Sequence, residues 1–165
     1  MKEENIALAV ALRDLDCFSL NTLSDRLLVQ KKIYLSQALG VDFGYRYNWY
    51  LRGPYSPELA SAAFDVIPYG VDYIKEYEFG SEVRSVFNKV NKMSDSEGRK
   101  NSNMAIADWY ELLASIHYLL NNITGQSKVD VCNKLITEKP KYTKEDFNAA
   151  WEELKQNGLI SGREC

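Results

Sequence analysis

The stretch from residue 30 to residue 57, QKKIYLSQALGVDFGYRYNWYLRGPYSP, constrains the fold of this 165-residue chain more than any other segment. Its first part has the apolar spacing of a helix, and Gly40 lies where a left-handed residue commonly ends one. Residues 43–52 then alternate between two faces, which is the pattern of a half-buried strand. Ser56 is a natural N-cap, and Pro57 suits the first position of a following helix. The segment therefore predicts a helix, a strand, a turn and a helix in series.

The alternation in residues 43–52 assigns each side chain to one of two faces. The face rich in strand-forming aromatic residues carries Phe43, Tyr45, Tyr47, Trp49 and Leu51. The polar face carries Gly44, Arg46, Asn48, Tyr50 and Arg52. The two arginines either lie on a solvated sheet face beside neighbouring carboxylates, or bind an acidic partner or phosphates through bidentate guanidinium contacts. The sequence leaves both interpretations open.

Positive charge is concentrated around this strand, although the chain as a whole is acidic. Residues 20–57 contain five basic and two acidic side chains, whereas the full chain has a net charge of −3. A basic, aromatic surface on an acidic body indicates a docking surface. The proline-stiffened turn either serves only the fold or presents Tyr55 as an exposed aromatic anchor. The predicted partner-binding residues, which we call the basic-aromatic ridge, are Lys31, Arg46, Trp49, Arg52 and Tyr55.

Lys31 lies in the middle of an apolar arc on the second predicted helix, where an unpaired ammonium would be costly to bury. In one interpretation its stem packs while its charged head reaches the edge of the helix or pairs with Glu58 or Asp65. In the other interpretation it is a desolvated lysine with a binding or chemical role.

Helical periodicity accounts for most of the remaining chain. The second helix ends at Leu39 and can be capped by Asn21 or Ser24. Further helices are predicted over residues 3–15, 57–66, 83–93, 105–121, 127–137 and 143–157. Residues 68–80 fit either a strand or a helix. We therefore predict a mainly α (α+β) fold, a helical domain with one small antiparallel β-sheet.

Residues 94–103, SDSEGRKNSN, contain no large apolar side chain and are predicted to form a mobile linker. This linker would follow a helical lobe at residues 1–93, which contains the small sheet and the basic-aromatic ridge. It would precede a three-helix lobe at residues 104–165. The second lobe would pack on the first, or the two would form one single domain.

The C-terminal lobe resembles a winged-helix domain that lacks a full wing. One shared core is predicted for Trp109, Leu113, Ile116, Phe147, Trp151 and Leu154. Residues 143–157 carry two basic and four acidic side chains. That balance disfavours insertion of the last helix into the major groove of DNA.

Composition argues against several classes of site. The only histidine is His117 and no CxxC pair occurs, so we expect neither a metal nor another cofactor. The widely spaced Cys17, Cys132 and Cys165 predict reduced thiols. No glycine-rich phosphate loop, GxSxG or HExxH occurs, so we do not expect an enzyme. Apolar runs are far shorter than a membrane span, and the expected location is the cytoplasm.

Five motifs follow one another in the chain: QKKIYL at residues 30–35, the aromatic strand, RGPYSPEL at 52–59, WYELLAS at 109–115 and AWEEL at 150–154. In this order they resemble the YwgA-like family of bacterial and archaeal proteins. A more distant likeness is to the Panacea, or SocA-like, antitoxin domain, in which a QKLLYYAQ-type helix precedes a YGPV-type turn. Lys32 and Arg52 depart from the pattern, which has an apolar residue and an aromatic residue there. The resemblance implies a small, mostly helical prokaryotic regulator or antitoxin-like protein, and it transfers no catalytic residue.

The leading functional hypothesis is a non-enzymatic protein-interaction module of regulatory or antitoxin-like type. Its partner would be a protein, either a toxin or a regulatory target, bound by the basic-aromatic ridge. The alternative is a nucleic-acid-binding transcriptional regulator, with Lys31, Lys32, Arg46 and Arg52 on phosphates and Trp49 or Tyr50 stacked on bases. An enzyme of unrecognised type is a third hypothesis. A homodimer is compatible with each of these, and no membrane partner is expected.

Overall fold

The computed structural model describes residues 1–123 and 127–161. The fold is mainly helical, and the sheet is a two-stranded antiparallel pair, which confirms the predicted fold class. The chain divides into two compact units, Met1–Lys92 and Met93–Cys165. No helix within the described ranges combines the length and the apolar character that crossing a membrane requires.

The first unit contains four α-helices and the sheet. The helices are α1 (Glu3–Asp14), α2 (Leu23–Ala38), α3 (Pro57–Val66) and α4 (Ser81–Lys92), and the strands are β1 (Asn48–Tyr50) and β2 (Gly53–Tyr55). Residues 68–80, which fitted a strand or a helix, contain most of two short 3₁₀ helices, Ile67–Tyr69 and Val71–Ile74. Helix α2 contacts α3, α4 and β2, so it lies at the centre of this unit.

Short polar side chains fix where the helices begin. Ser56 accepts a hydrogen bond from the backbone N–H of Leu59 and Pro57 begins α3, as the sequence predicts. The cap of α2 is Thr22, and not Asn21 or Ser24. Thr22 is favoured because Asp25, three residues later, completes a capping box in which each side chain accepts from the other residue's backbone N–H.

The predicted strand at residues 43–52 is shorter than expected, and its turn comes earlier. Strand β1 pairs with β2 in the register Asn48↔Tyr55, Trp49↔Pro54 and Tyr50↔Gly53, so Leu51 and Arg52 form the hairpin tip. The turn falls there because Gly53, at φ +90°, adopts a conformation that other residues rarely reach. Gly-Pro-Tyr is thus the returning strand of a hairpin.

In the described residues of the second unit there are four α-helices, after a short 3₁₀ helix at Met93–Asp95. They are α5 (Glu97–Ser102), α6 (Ile106–Asn122), α7 (Lys128–Glu138) and α8 (Lys144–Gln156). Helix α6 contacts both α7 and α8. All six predicted core residues, Trp109, Leu113, Ile116, Phe147, Trp151 and Leu154, are fully buried, which confirms this part of the prediction. Within residues 1–123 and 127–161 the only strands are β1 and β2, so these ranges contain no wing strand.

Residues 94–103, predicted to be a linker, are instead largely helical. Helix α5 is capped by Ser96 and packs on α8. Gly98 makes this contact possible, because a Cβ at that position would lie only 2.9 Å from the Cβ of Ala149. The absence of large apolar side chains therefore reflects close helix packing in this segment.

Candidate functional site

The first residue of the QKK motif holds the hairpin by its backbone. The side chain of Gln30, which is buried, accepts a hydrogen bond from Ser56 N at 2.8 Å and donates one to Ser56 O at 3.0 Å. Both backbone polar groups of the buried Ser56 are thereby satisfied. The start of α3 and the end of the hairpin are fixed to α2 by one side chain.

Lys31, the second residue of the motif, lies beneath the hairpin and not on its surface. It is fully buried, and its ammonium donates to the carbonyl oxygen of Pro54 at 2.7 Å. The head therefore does not reach solvent at the edge of the helix, and Lys31 is desolvated, as the second interpretation requires. A binding or chemical role for it stays a prediction. The structure therefore removes Lys31 from the accessible part of the basic-aromatic ridge.

Lys32 has a comparable structural role on the other side of α2. Its ammonium donates to the carbonyl of Leu15 at 2.7 Å and to Asn91 Oδ1 at 3.2 Å, which ties α2 to the end of α1 and to α4. Burial lowers the pKa of Lys32, and the nearby Cys17 and Asp16 act in the opposite direction. The departure from an apolar residue at this position thus serves internal packing.

A second glutamine fixes the segment that leads into β1. Gln37 accepts from Tyr45 N and donates to Tyr45 O, both at 3.1 Å. The ring of Tyr47 packs edge-on against Tyr34, with centroids 5.0 Å apart, and burial raises its pKa well above the ordinary value. These contacts fix the segment before β1 to α2.

An open apolar groove lies between the first half of α2, the hairpin tip and α3. Its volume is about 690 Å³, and its main apolar side chains are Leu20, Leu23, Leu27, Tyr50, Leu51 and Phe64. Four of these are strongly exposed, Leu51 at 89%, Phe64 at 71%, Leu23 at 48% and Tyr50 at 45%. Contiguous exposed apolar surface of this kind marks interaction sites in folded proteins.

Two charged side chains line the groove, and both are positive. Among its lining residues, all of which the structure describes, the charged ones are Arg26 and Arg52. Arg26 is held in place by a hydrogen bond from Nη1 to the carbonyl of Leu20 at 3.0 Å. Arg52 is exposed at the hairpin tip. The groove therefore combines apolar side chains with two arginines.

The structure brings together only part of the predicted ridge. Arg52 and Tyr55 line the groove, and the Tyr55 ring packs edge-on against Tyr50 with centroids 5.3 Å apart. Arg46 is exposed and Trp49 is half-buried, and neither is among the residues that line the groove.

Sequence reasoning missed the two most exposed apolar residues of the groove. Alternation placed Leu51 on the aromatic face of the predicted half-buried strand, but the turn begins there and its side chain is exposed. Phe64 gave a signal that could have been used. It lies off the buried stripe of α3, which is formed by Leu59, Ala63 and Val66. A large apolar residue off the stripe of an amphipathic helix indicates a contact surface.

The second unit contains a buried charged cluster that also escaped the sequence analysis. Glu111 Oε2 accepts from the hydroxyl of Tyr142 at 3.1 Å, and the ammonium groups of Lys139 and Lys141 lie 3.3 Å from it. This cluster holds the segment between α7 and α8 against α6. A carboxylate compensated by two lysines suits a structural role better than acid–base chemistry.

The described residues offer little to metal or nucleophilic chemistry. Within residues 1–123 and 127–161, no three His, Cys, Asp or Glu side chains come together as a metal site would require. Burial raises the pKa of Cys17 to about 12, so this thiol stays protonated at neutral pH. Cys132 is also a free cysteine, and Cys165 lies outside the described residues.

Comparison of this chain with family models, with curated proteins and with solved structures gives no match. The resemblance to YwgA-like and Panacea sequences therefore stays a prediction based on the motifs quoted above.

Proposed function

We propose that this chain is a non-enzymatic protein-interaction module of regulatory or antitoxin-like type, located in the cytoplasm, which binds a protein partner in the apolar groove. The observation that carries the proposal is the exposure of Leu51 and Phe64 at the rim of that groove. The likeness to antitoxin-like sequences supports the regulatory part of the proposal, and the groove supports the docking part.

Burial of the apolar side chains at the groove rim favours binding of a partner. Full burial of a leucine or phenylalanine side chain contributes about 1.5–3 kcal/mol, so Leu51 and Phe64 together supply a substantial part of a moderate affinity. Gln30 and Gln37 already hold the backbone of the supporting segment. Binding on a pre-ordered support loses little conformational entropy, which favours association.

An enzymatic role has less support than docking. The described groove contains arginines, tyrosines and one glutamine but no carboxylate, histidine or thiol that could act as a general base or nucleophile. The buried Cys17 and the compensated Glu111 lie outside it. These observations favour a binding module.

The nucleic-acid alternative loses two of its four proposed phosphate contacts. Lys31 and Lys32 are buried, and each donates to a backbone carbonyl at 2.7 Å. Arg46 and Arg52 remain exposed on the surface. An apolar groove with only two lining arginines suits a protein segment better than a phosphate backbone.

A quantitative pull-down with matched variants tests the proposal. The double variant Leu51→Ser/Phe64→Ser removes the apolar rim, and the control Val71→Ser/Tyr73→Ser removes exposed apolar side chains outside the groove. We expect the rim variant to lose most of the captured protein while its melting temperature stays close to that of the wild type. The control should retain capture.

Two outcomes would contradict the proposal. Equal capture by the rim variant and the control would show that the groove is not the docking site. Capture that disappears after nuclease treatment, and falls steeply with salt concentration, would favour the nucleic-acid regulator instead.

A further inference from the structure

Building on the proposed docking function, we infer that the groove binds an amphipathic α-helix of a different protein, with Asp or Glu residues beside its apolar stripe. Three features of the groove support this occupant: the exposed side chains of Leu51 and Phe64, the charges of Arg26 and Arg52, and the backbone groups around the hairpin.

The exposed rim identifies the occupant as a macromolecule. A volume of about 690 Å³ would suit a small ligand, but Leu51 and Phe64 remain mostly exposed at its edge. A molecule confined to the groove would leave these side chains in water. A helix laid across the groove covers both, because its apolar stripe runs for several turns.

Strand addition along β2 is disfavoured by the hydrogen bonds that Pro54 and Ser56 already make. Pro54 has no backbone N–H, and its carbonyl accepts from Lys31. The N–H and carbonyl of Ser56 both bond to Gln30. An extended peptide would need these groups as partners, whereas a helix satisfies its own backbone and needs only apolar contact.

The two arginines of the groove favour a partner with negative charge. Arg26 projects from α2 and Arg52 from the hairpin tip, and no acidic side chain is among the described residues that line the groove. A guanidinium binds a carboxylate in a bidentate geometry. Asp or Glu residues beside the apolar stripe of the partner would meet these arginines, while Lys or Arg would be repelled.

The same charges disfavour a symmetric homodimer through this groove. A two-fold contact places the same patch of both copies face to face. Arg26 and Arg52 of one copy would then approach the arginines of the other, and no acidic side chain is among the residues that line the groove. The preferred occupant is therefore a different chain.

A displayed peptide library tests this inference directly. Peptides of about 16 residues, roughly four helical turns, are built with either helical or alternating apolar patterns and with randomised charges between the apolar positions. They are selected on the wild-type protein, on Leu51→Ser/Phe64→Ser, on Arg52→Glu and on the control Lys75→Glu. Lys75 is an exposed cation outside the groove.

We expect the wild type and Lys75→Glu to enrich helically patterned peptides with Asp or Glu beside the apolar stripe. The rim variant should weaken their binding by about tenfold or more. Arg52→Glu should shift the preference towards Lys and Arg. Melting curves of all variants confirm that the comparison concerns folded protein.

The other outcomes separate this inference from the docking function. Enrichment of alternating, basic or charge-indifferent peptides that still need Leu51 and Phe64 would overturn the acidic helix and leave docking intact. Failure to enrich any peptide that depends on these two residues would overturn both.

Discussion

At the scale of single residues, two glutamines on α2 determine how the hairpin segment is held. Gln30 and Gln37 are seven residues apart, two helical turns, and therefore lie on the same face of the helix. Each binds both backbone polar groups of one residue, Ser56 for Gln30 and Tyr45 for Gln37. The hairpin is thus fixed to α2 by hydrogen bonds at two points in addition to its apolar contacts.

We expect Gln30→Ala to lower the free energy of unfolding by about 2–4 kcal/mol, because it leaves the buried N–H and carbonyl of Ser56 without their partner. Gln37→Ala is the matched control. Its hydrogen bonds to Tyr45 are partly buried, so water can replace them and the loss should be clearly smaller. Urea titration of both variants measures the difference. Equal losses would show that burial does not distinguish the two contacts.

His117 gives the protein a predictable response to acid. Burial lowers its pKa from 6.5 to about 4 in the folded state. Between these values the unfolded chain binds a proton that the folded chain does not, so stability decreases as the pH falls from about 6.5 to 4. Below pH 4 the decrease due to this residue is complete.

The test compares wild type with His117→Gln in denaturant titrations at pH 7 and pH 5. The wild type should lose more stability between the two pH values than the variant. Because the ring is partly exposed, we expect an excess on the order of 1 kcal/mol. An identical pH dependence in the two proteins would contradict the assignment to His117.

Local rules in the sequence predicted some of these residues and missed others. Ser56 caps its helix as expected, because capping depends on residues three positions apart in the chain. The partner of Lys31 is a carbonyl 23 residues away, and that of Gln30 is 26 residues away. Such contacts depend on tertiary packing, which the periodicity of one helix does not reveal.

At the scale of secondary-structure elements, the hairpin shows where alternation stops being informative. Residues 41–50 alternate between half-buried and exposed side chains, as predicted for residues 43–50. At Leu51 the chain enters the turn and the pattern ends, so a residue of the predicted aromatic face becomes highly exposed. Strand periodicity predicted the faces but not the position of the turn, and the candidate site depends on that position.

The contact between α5 and α8 gives a test at the same scale. Gly98→Ala would normally stabilise a helix by about 1 kcal/mol. Here we expect a loss of roughly 1–3 kcal/mol, because the new Cβ would lie 2.9 Å from the Cβ of Ala149. Urea titration measures the change.

A double-mutant cycle provides the control for this test. If the clash is the cause, Ala149→Gly should be less harmful in the Gly98→Ala background than in the wild type. Additive effects of the two substitutions, or a stabilised Gly98→Ala protein, would show that α5 does not pack closely on α8.

At the scale of the whole molecule, the proposed function belongs to one of the two compact units. The groove and its supporting glutamines all lie within Met1–Lys92. The tryptophan core and the Glu111 cluster lie within Met93–Cys165. Variants of the first unit should therefore change partner binding, while core variants of the second should change stability.

The predicted basic-aromatic ridge and the apolar groove overlap only in part. The concentration of basic and aromatic residues in residues 20–57 directed attention to the hairpin, and Arg52 and Tyr55 do line the groove. The apolar character of the groove could not be predicted, because it arises where Leu23, Leu51 and Phe64 of three separate elements meet. Lys31 was assigned to the site because it lies within an apolar arc of α2, and its burial removes it from the surface.

Site-specific photo-crosslinking in cells of the native host tests the central claim most directly. A benzophenone amino acid replaces Leu51 or Phe64 at the groove rim, or Lys75 as an exposed control outside the groove. We predict the same discrete, nuclease-resistant protein adduct from positions 51 and 64 and none from position 75. An adduct of equal yield from all three positions, or none from the two rim positions, would contradict the claim that the groove is a docking site.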